Sequence, residues 1–221
     1  MKNGNNIRRC LTRFIFTLTL LTTLPAIAAN NSYRIYLDAD FTTTKTAGIA
    51  IKRGIETALS EHKHLINGYQ FELVIKDHRG NTRRSTKHIK QYLADEQALL
   101  MFGGLHSPPL LKNKSLINSE KILTLVPWAA AGPITRSQGK QNWIFRLSID
   151  DSNAGNFIAQ QALLEGFKRP YLLLEDTGWG RSNETTMTKA LAQNNISPVG
   201  LSLFNWGIKE NHARIIMRSI I

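Results

Sequence analysis

The stretch ALLMFGGLHSPPLL, from Ala98 to Leu111, joins a short apolar run to a helix-like pattern through two glycines, a histidine, a serine and two prolines. The apolar run Ala98–Phe102 predicts a buried strand. Gly103 and Gly104 permit a close backbone approach, and Ser107 before proline is typical of a helix that begins with serine as its cap. Such a strand–turn–helix junction indicates an α/β fold.

The same alternation of strand and helix patterns extends along the chain on both sides of this junction. The predicted strands are Tyr33–Leu37, Tyr69–Lys76, Ala98–Phe102, Ile122–Val126, Pro170–Glu175 and Val199–Phe204, and the predicted helices cover about 46–61, 83–94, 109–119, 153–166 and 182–194, with another from His212. Helices between successive strands imply right-handed crossovers and parallel sheets flanked by helices. We predict an α/β protein with two Rossmann-like lobes, over 30–148 and 149–221.

Residues 1–29 have the pattern of an export signal. Four basic residues precede the acid-free apolar run Phe14–Leu24, and Ala26 and Ala28 occupy the small-residue positions before a signal-peptidase cut. A membrane anchor is the alternative, but the run is shorter than the roughly 20 apolar residues that span a bilayer. We therefore predict a cleavable signal peptide and a periplasmic location.

The mature chain would contain no cysteine, because Cys10, the single cysteine, lies in the signal. This excludes a disulfide, a cysteine-ligated metal and a cysteine nucleophile. Removing the signal lowers the formal net charge from +12 to +8, since four basic residues and no acidic ones leave with it. The densest basic cluster, Asn81–Lys90, is not interleaved with aromatic residues as a nucleic-acid stacking platform requires. We predict no nucleic-acid partner and interpret the cluster as a solvated helix face, with an anion patch as the alternative.

The GGLHSPP junction, Gly103–Pro109, follows the carboxyl end of a strand, where open parallel sheets bind their ligands. A helix amino terminus there offers free N–H groups and a partial positive charge, which suit a small anion such as a carboxylate. Pro108 and Pro109 have no N–H, so the hydroxyl of Ser107 becomes the main candidate for direct ligand contact. The alternative is a serine that only caps the helix.

Five pieces of the sequence, in this order and at these intervals, carry a family resemblance. They are GIAIKRGIETAL, KDHRGNT, FGGLHSPP, ILTLVPWAAAGPIT and LLLEDTGWGRS. Together they resemble the periplasmic substrate-binding proteins of branched-chain amino acid ABC transporters, the leucine/isoleucine/valine-binding family with the type I periplasmic binding protein fold. The resemblance runs from about Ser32 to Ile221. It implies two lobes that close around a ligand by hinge motion, without a cofactor.

The resemblance also implies binding residues in the first lobe. Ser107 matches the serine that bonds the ligand's α-carboxylate. Trp128, Ala129 and Ala130 match the loop that holds the ligand's main-chain groups with backbone atoms. Ala130 departs from the pattern, because a Ser or Thr hydroxyl is usual at its position.

In the second lobe, Trp179 before Gly180 matches an aromatic residue that lies across the ligand. The acidic residue that meets the ligand's amino group in the family would lie beyond Ile221. Two strands and three helices make a thin sheet with an uncovered edge, so the second lobe is expected to be incomplete and the chain to be C-terminally truncated.

These observations predict a periplasmic solute-binding protein that delivers a small polar ligand to an ABC transporter membrane permease. The ligand would be an amino acid, an amide or a related carboxylate, and the protein a monomer without catalytic residues, metal or cofactor. One alternative is a periplasmic ligand-sensing domain for a receptor, and another is an exported α/β hydrolase that uses His106 and Ser107. Adjacent residues rarely form a hydrogen-bonded catalytic pair, and neither a G-x-S-x-G elbow nor a helical H-E-x-x-H motif is present.

Overall fold

The computed structural model describes residues 31–136 and 141–205, in which strands and helices alternate. The strands are β1 (Ser32–Ala39), β2 (Leu65–Ile66), β3 (Tyr69–Asp77), β4 (Ala98–Gly103), β5 (Thr124–Val126), β6 (Ile144–Arg146), β7 (Tyr171–Glu175) and β8 (Gly200–Phe204). The helices are α1 (Lys45–Glu61), α2 (Thr82–Leu93), α3 (Ser107–Ser119), α4 (Asp151–Leu164) and α5 (Gly178–Ala192), with a 3₁₀ turn at Gly132–Ile134. This alternation confirms the predicted α/β class.

The first sheet has the strand order β2-β3-β1-β4-β5-β6, and every neighbouring pair except β2–β3 is parallel. The sequence patterns did not predict β2 and β6, which have two and three residues. β2 forms a hairpin with β3 through Asn67 and Gly68, whose φ angles are 52° and 82°. Asparagine followed by glycine is favoured where both central turn residues need positive φ.

The central strand β1 explains why both faces of this sheet are covered. Successive side chains of a strand point to opposite faces. Leu37 and Ala39 pack with Ile51 of α1, whereas Tyr36 packs into a second cluster that includes Ile89 of α2. A parallel sheet is stabilised by burial on both faces, which requires helices on both sides. The residues of these clusters are therefore the core that holds the strand ends in place.

A separate sheet consists of β7 and β8, which pair in parallel from Tyr171↔Gly200 to Glu175↔Phe204. Helices α4 and α5 pack together through a small cluster that contains Ala159 of α4 and Leu191 of α5. The described residues from Ser32 onward belong to one compact unit. The lobe boundaries at 29/30 and 148/149 stay predictions.

Some predicted segments lie outside the described residues, namely the signal peptide over 1–29 with Cys10 and the helix from His212. Within the described ranges, no helix is both long enough and apolar enough to cross a membrane. The predicted solvated face on α2 is exposed at Arg83, Arg84, Lys87 and Lys90.

Candidate functional site

A cavity of about 420 Å³ lies where strands of both sheets end. The turn before α3 and the first two residues of α3 contribute four lining residues, the segment after β5 two and the end of β7 with the start of α5 three, while Thr44 comes from the residue before α1. The lining residues are Thr44, Leu105, His106, Ser107, Pro108, Trp128, Ala130, Glu175, Thr177 and Trp179. The cavity therefore occupies the position that open parallel sheets use for ligands, beyond the carboxyl ends of their strands.

The five residues predicted to bind a ligand lie in one region of the structure. Ser107, Trp128, Ala130 and Trp179 line the cavity. Ala129 does not; it is buried beside them, and its carbonyl oxygen accepts a hydrogen bond from the Ser148 hydroxyl at 3.3 Å. The structure thus brings four of the five together, and their role in binding stays a prediction.

The alternative in which Ser107 caps α3 is wrong. The helix begins at Ser107 itself and His106 is the residue before it, without a side-chain capping bond. A cap side chain bonds the second or third N–H of the helix; with His106 as the cap these positions are Pro108 and Pro109, which have none, so no side-chain cap forms. The buried Ser107 Oγ instead accepts the backbone N–H of Ala131 at 3.2 Å. Its hydroxyl hydrogen is still able to donate to a ligand.

A tight turn after β7 positions Trp179. The Thr177 side chain caps α5 by accepting the N–H of Gly180 at 3.3 Å. A Cβ atom at Gly180 would lie 1.8 Å from the backbone oxygen of Glu175, so only glycine fits there without a shift. This close approach turns the chain directly from the strand into the helix and leaves Trp179 41% exposed at the cavity.

Six lining residues were not among the predicted binding residues. Leu105, His106 and Pro108 belong to the predicted GGLHSPP junction, and the other three are Thr44, Glu175 and Thr177. Glu175 is the last residue of β7 and Thr177 caps the following helix, so the rule that ligands bind beyond carboxyl ends of strands could have found both. Thr44 precedes α1, and no local motif marks it. It reaches the cavity because its Oγ1 lies 2.9 Å from Nε2 of His106.

A buried carboxylate, Asp40, organises the polar groups behind Thr44 and His106. It accepts the N–H groups of Thr42 and Thr43 at 2.9 and 2.8 Å, and Nε2 of His106 lies 3.2 Å from its Oδ2. Burial by itself would raise the pKa of Asp40, but these hydrogen bonds and that of the Thr43 hydroxyl outweigh burial and hold the pKa well below its usual range. Asp40 therefore contributes a second negative charge near the cavity wall.

The arrangement around His106 differs from that of a catalytic pair. Nε2 of His106 faces Thr44 and Asp40, and Ser107 Oγ bonds Ala131. In the described part of the chain, no hydrogen bond joins His106 to Ser107. Residues 31–136 and 141–205 also contain no group of three or more His, Cys, Asp or Glu side chains placed to hold a metal ion.

His78 lies against His106, with ring centroids 5.9 Å apart, and is buried. Its Nδ1 accepts the N–H of Gly80 at 3.0 Å. Burial lowers the pKa of His78, and the charges of His106 and His88 act in the same direction, while Asp38 and Asp40 oppose it. The folded protein thus disfavours a charged imidazole at this position.

We expect replacement of His78 by glutamine to weaken the acid sensitivity of the fold. Because the pKa is lower in the folded protein than the ordinary value of about 6.5, the unfolded chain takes up the proton first as the pH falls. The free energy of unfolding then decreases from about pH 6.5 toward the lower folded-state pKa. Urea denaturation at pH 5, 6 and 7 should show a smaller decrease for H78Q than for the wild type. The matched variant H62Q, at the exposed end of α1, should keep the wild-type slope, and equal slopes for H78Q and wild type would contradict the assignment.

The two sheets are mostly parallel, and their strand ends share one cavity, an arrangement in which α/β proteins bind small molecules. The model of the periplasmic binding protein family matches residues 37–210. The chain belongs to this family.

Solved structures of similar proteins share the fold. A periplasmic binding protein from Burkholderia mallei superposes with a TM-score of 0.78 at 16% identity, over 86% of this chain and 51% of that one. A solute-binding protein of an ABC transporter from R. palustris, in complex with 4-hydroxybenzoate, gives 0.75 at 21% identity, over 85% and 50%. A leucine-binding protein from Thermotoga maritima gives 0.73 at 18% identity, over 85% and 53%. The chain spans about half the length of these structures, and no curated protein sequence matches it significantly.

Proposed function

We propose that this protein is a solute-binding protein that captures a small organic molecule in the cavity between its two sheets. The observation that carries this proposal is the position of the cavity at the strand ends of both sheets, because a ligand there would contact residues of both and favour their closure. The volume of about 420 Å³ is suitable for a small molecule. No bond is made or broken in this function.

The lining suggests how such a ligand would be held. The Ser107 hydroxyl, anchored by the N–H of Ala131, would donate a hydrogen bond to a ligand oxygen. Trp128 and Trp179 would cover its apolar body from the β5 side and the β7 side. Ala130, where the family resemblance places a hydroxyl residue, adds apolar surface instead.

The similar structures support a small organic ligand but do not identify it. One of them holds 4-hydroxybenzoate and another is a leucine-binding protein, so an amino acid, an amide or a related carboxylate remains our proposed range. Export through the signal over 1–29, a periplasmic location, a monomeric state and delivery to an ABC transporter permease belong to the same proposal, which the family membership supports.

Replacing Ser107 by alanine is expected to weaken ligand binding by about 1–2 kcal/mol, the loss of one hydrogen bond to a charged or polar oxygen. The full chain would be titrated calorimetrically with leucine, 4-hydroxybenzoate and small amides, and S107A compared with S119A. Ser119 lies at the exposed end of the same helix and bonds only the Leu116 carbonyl among described residues, so S119A should bind like the wild type. If a folded S107A binds with unchanged affinity, the Ser107 hydroxyl bonds Ala131 and does not contact the ligand. Failure of the wild type to bind any member of the panel would refute the proposed function.

A further inference from the structure

The charge of the cavity lining is opposite to that of the chain. The chain has 28 Lys and Arg residues against 16 Asp and Glu. Among the described residues that line the cavity, none is Lys or Arg, and Glu175 is the acidic one. A ligand that enters therefore meets a carboxylate but no Lys or Arg side chain in the wall.

The carboxylate of Glu175 is available to a ligand. Within residues 31–136 and 141–205, no hydrogen bond or ion pair involves its side chain. The neighbouring Asp176 binds Arg181 at 2.9 Å, and Arg181 also contacts Glu184 at 3.3 Å. The guanidinium of Arg181 is thus already paired with two carboxylates other than that of Glu175.

The guanidinium of Arg146, which bonds the loop that contains Ala130, is also paired. Arg146 donates to the carbonyl oxygens of Ala130 and Ala131 at 3.1 and 2.9 Å and forms an ion pair with Asp150. Oδ2 of Asp40 lies 3.2 Å from Nε2 of the lining residue His106, so Asp40 adds a second carboxylate close to the cavity. Neither Arg146 nor Arg181 therefore offers an unpaired positive charge to the cavity.

The amino terminus of α3, where the cavity would bind an anion, offers few hydrogen-bond donors. The amino terminus of α3 has lost two N–H donors to Pro108 and Pro109, which leaves the N–H of Ser107 and its neutral hydroxyl. A neutral donor binds an anion less strongly than a Lys or Arg side chain does. A simple carboxylate would also be repelled by Glu175.

Two aromatic side chains complete the lining. Trp128 and Trp179 are 46% and 41% exposed, and both line the cavity together with Glu175. The face of an indole ring attracts cations, most strongly when the site is desolvated, and aromatic walls of this kind bind quaternary ammonium groups.

We propose that this cavity selects ligands that carry an ammonium group, either organic cations or zwitterions, with Glu175 as the counter-charge and Trp128 and Trp179 as aromatic walls. The inference rests on the proposed solute-binding function of the same cavity. It assigns the recognition of positive charge to the end of β7, a position inside the described part of the chain.

The test uses three probes with the same ring and different charges, namely benzyltrimethylammonium, benzyl alcohol and benzoate. Dissociation constants for the full chain would be measured by calorimetry, supported by saturation-transfer NMR, which detects weak binding. The cation should bind at least about tenfold more tightly than benzoate, as expected when a charged contact and a cation–π contact act together. The variant E175Q should lose most of this difference. The control E184Q removes the same charge from α5 outside the cavity and should keep it.

The outcomes separate the inference from the proposed function. Benzoate binding as tightly as the cation, or an unchanged preference in a folded E175Q, would overturn the ammonium selectivity while solute binding stands. Absence of binding by all three probes, together with a silent leucine and 4-hydroxybenzoate panel, would overturn solute binding at this cavity and the inference with it. The comparison of the probes on the wild type needs no variant, so a poorly folding E175Q leaves the test intact.

Discussion

Replacing Gly180 by alanine should destabilise the protein by about 3 kcal/mol, one of the two largest effects that we expect from a single substitution. The new Cβ would lie 1.8 Å from the backbone oxygen of Glu175 and 2.8 Å from its carbonyl carbon. Both are backbone atoms, so no side-chain rotation relieves the clash, and the turn between β7 and α5 must open. The displacement would also move Trp179 away from the cavity.

The matched control for this prediction is Gly54→Ala in the middle of α1. A Cβ at Gly54 meets nothing within 4 Å, and alanine in a helix interior is more favourable than glycine by about 0.5–1 kcal/mol. Urea unfolding of the two variants should therefore shift the midpoint in opposite directions. If G180A is as stable as the wild type, the close approach of the turn to β7 is not part of the folded protein.

The second large effect is expected at Arg146, whose replacement by methionine should cost about 2–3 kcal/mol of stability. Its side chain is 6% exposed and links β6 to the loop after β5 by bonding the carbonyl oxygens of Ala130 and Ala131. Methionine keeps most of the apolar stem but removes the charged donor from both carbonyls and from Asp150. Each carbonyl then keeps one backbone donor, the N–H of Asp151 for Ala130 and the N–H of Ile134 for Ala131, both at 3.0 Å. Asp150 retains Arg136 at 2.8 Å, so the loss should be smaller than for an isolated buried pair.

The variant R181M tests whether burial causes this effect. Arg181 also bonds two carboxylates, but its side chain is 52% exposed, and surface ion pairs contribute about 1 kcal/mol or less. Thermal unfolding of the two arginine variants at the same pH provides the comparison. Equal losses of stability in R146M and R181M would mean that the buried hydrogen bonds from Arg146 to the loop contribute no more than an exposed ion pair.

The sequence predicted the regular elements well because their signals are local. The pattern Tyr69–Lys76 became β3, Ala98–Phe102 became β4 with one more residue, and the segment 46–61 became α1 with a start one residue earlier. Hydrophobic period and turn residues act within a few positions, so they are readable without the fold. The strands β2 and β6 were missed because two or three residues carry no period and pair only when a neighbour is present.

The order of five motifs was sufficient to predict the family and to place four cavity residues, since the ends of parallel strands meet at one edge of a sheet. The role of Ser107 at the helix start needed the structure, because Oγ bonds Ala131, which is 24 residues away in the chain. Thr44, in the segment between β1 and α1, and Glu175, at the end of β7, likewise reach the cavity from the strand ends of different sheets. Local sequence determined which segments are strands, helices and turns. Only tertiary packing decided which side chains face one another across the cavity, because those contacts join residues that the chain itself holds far apart.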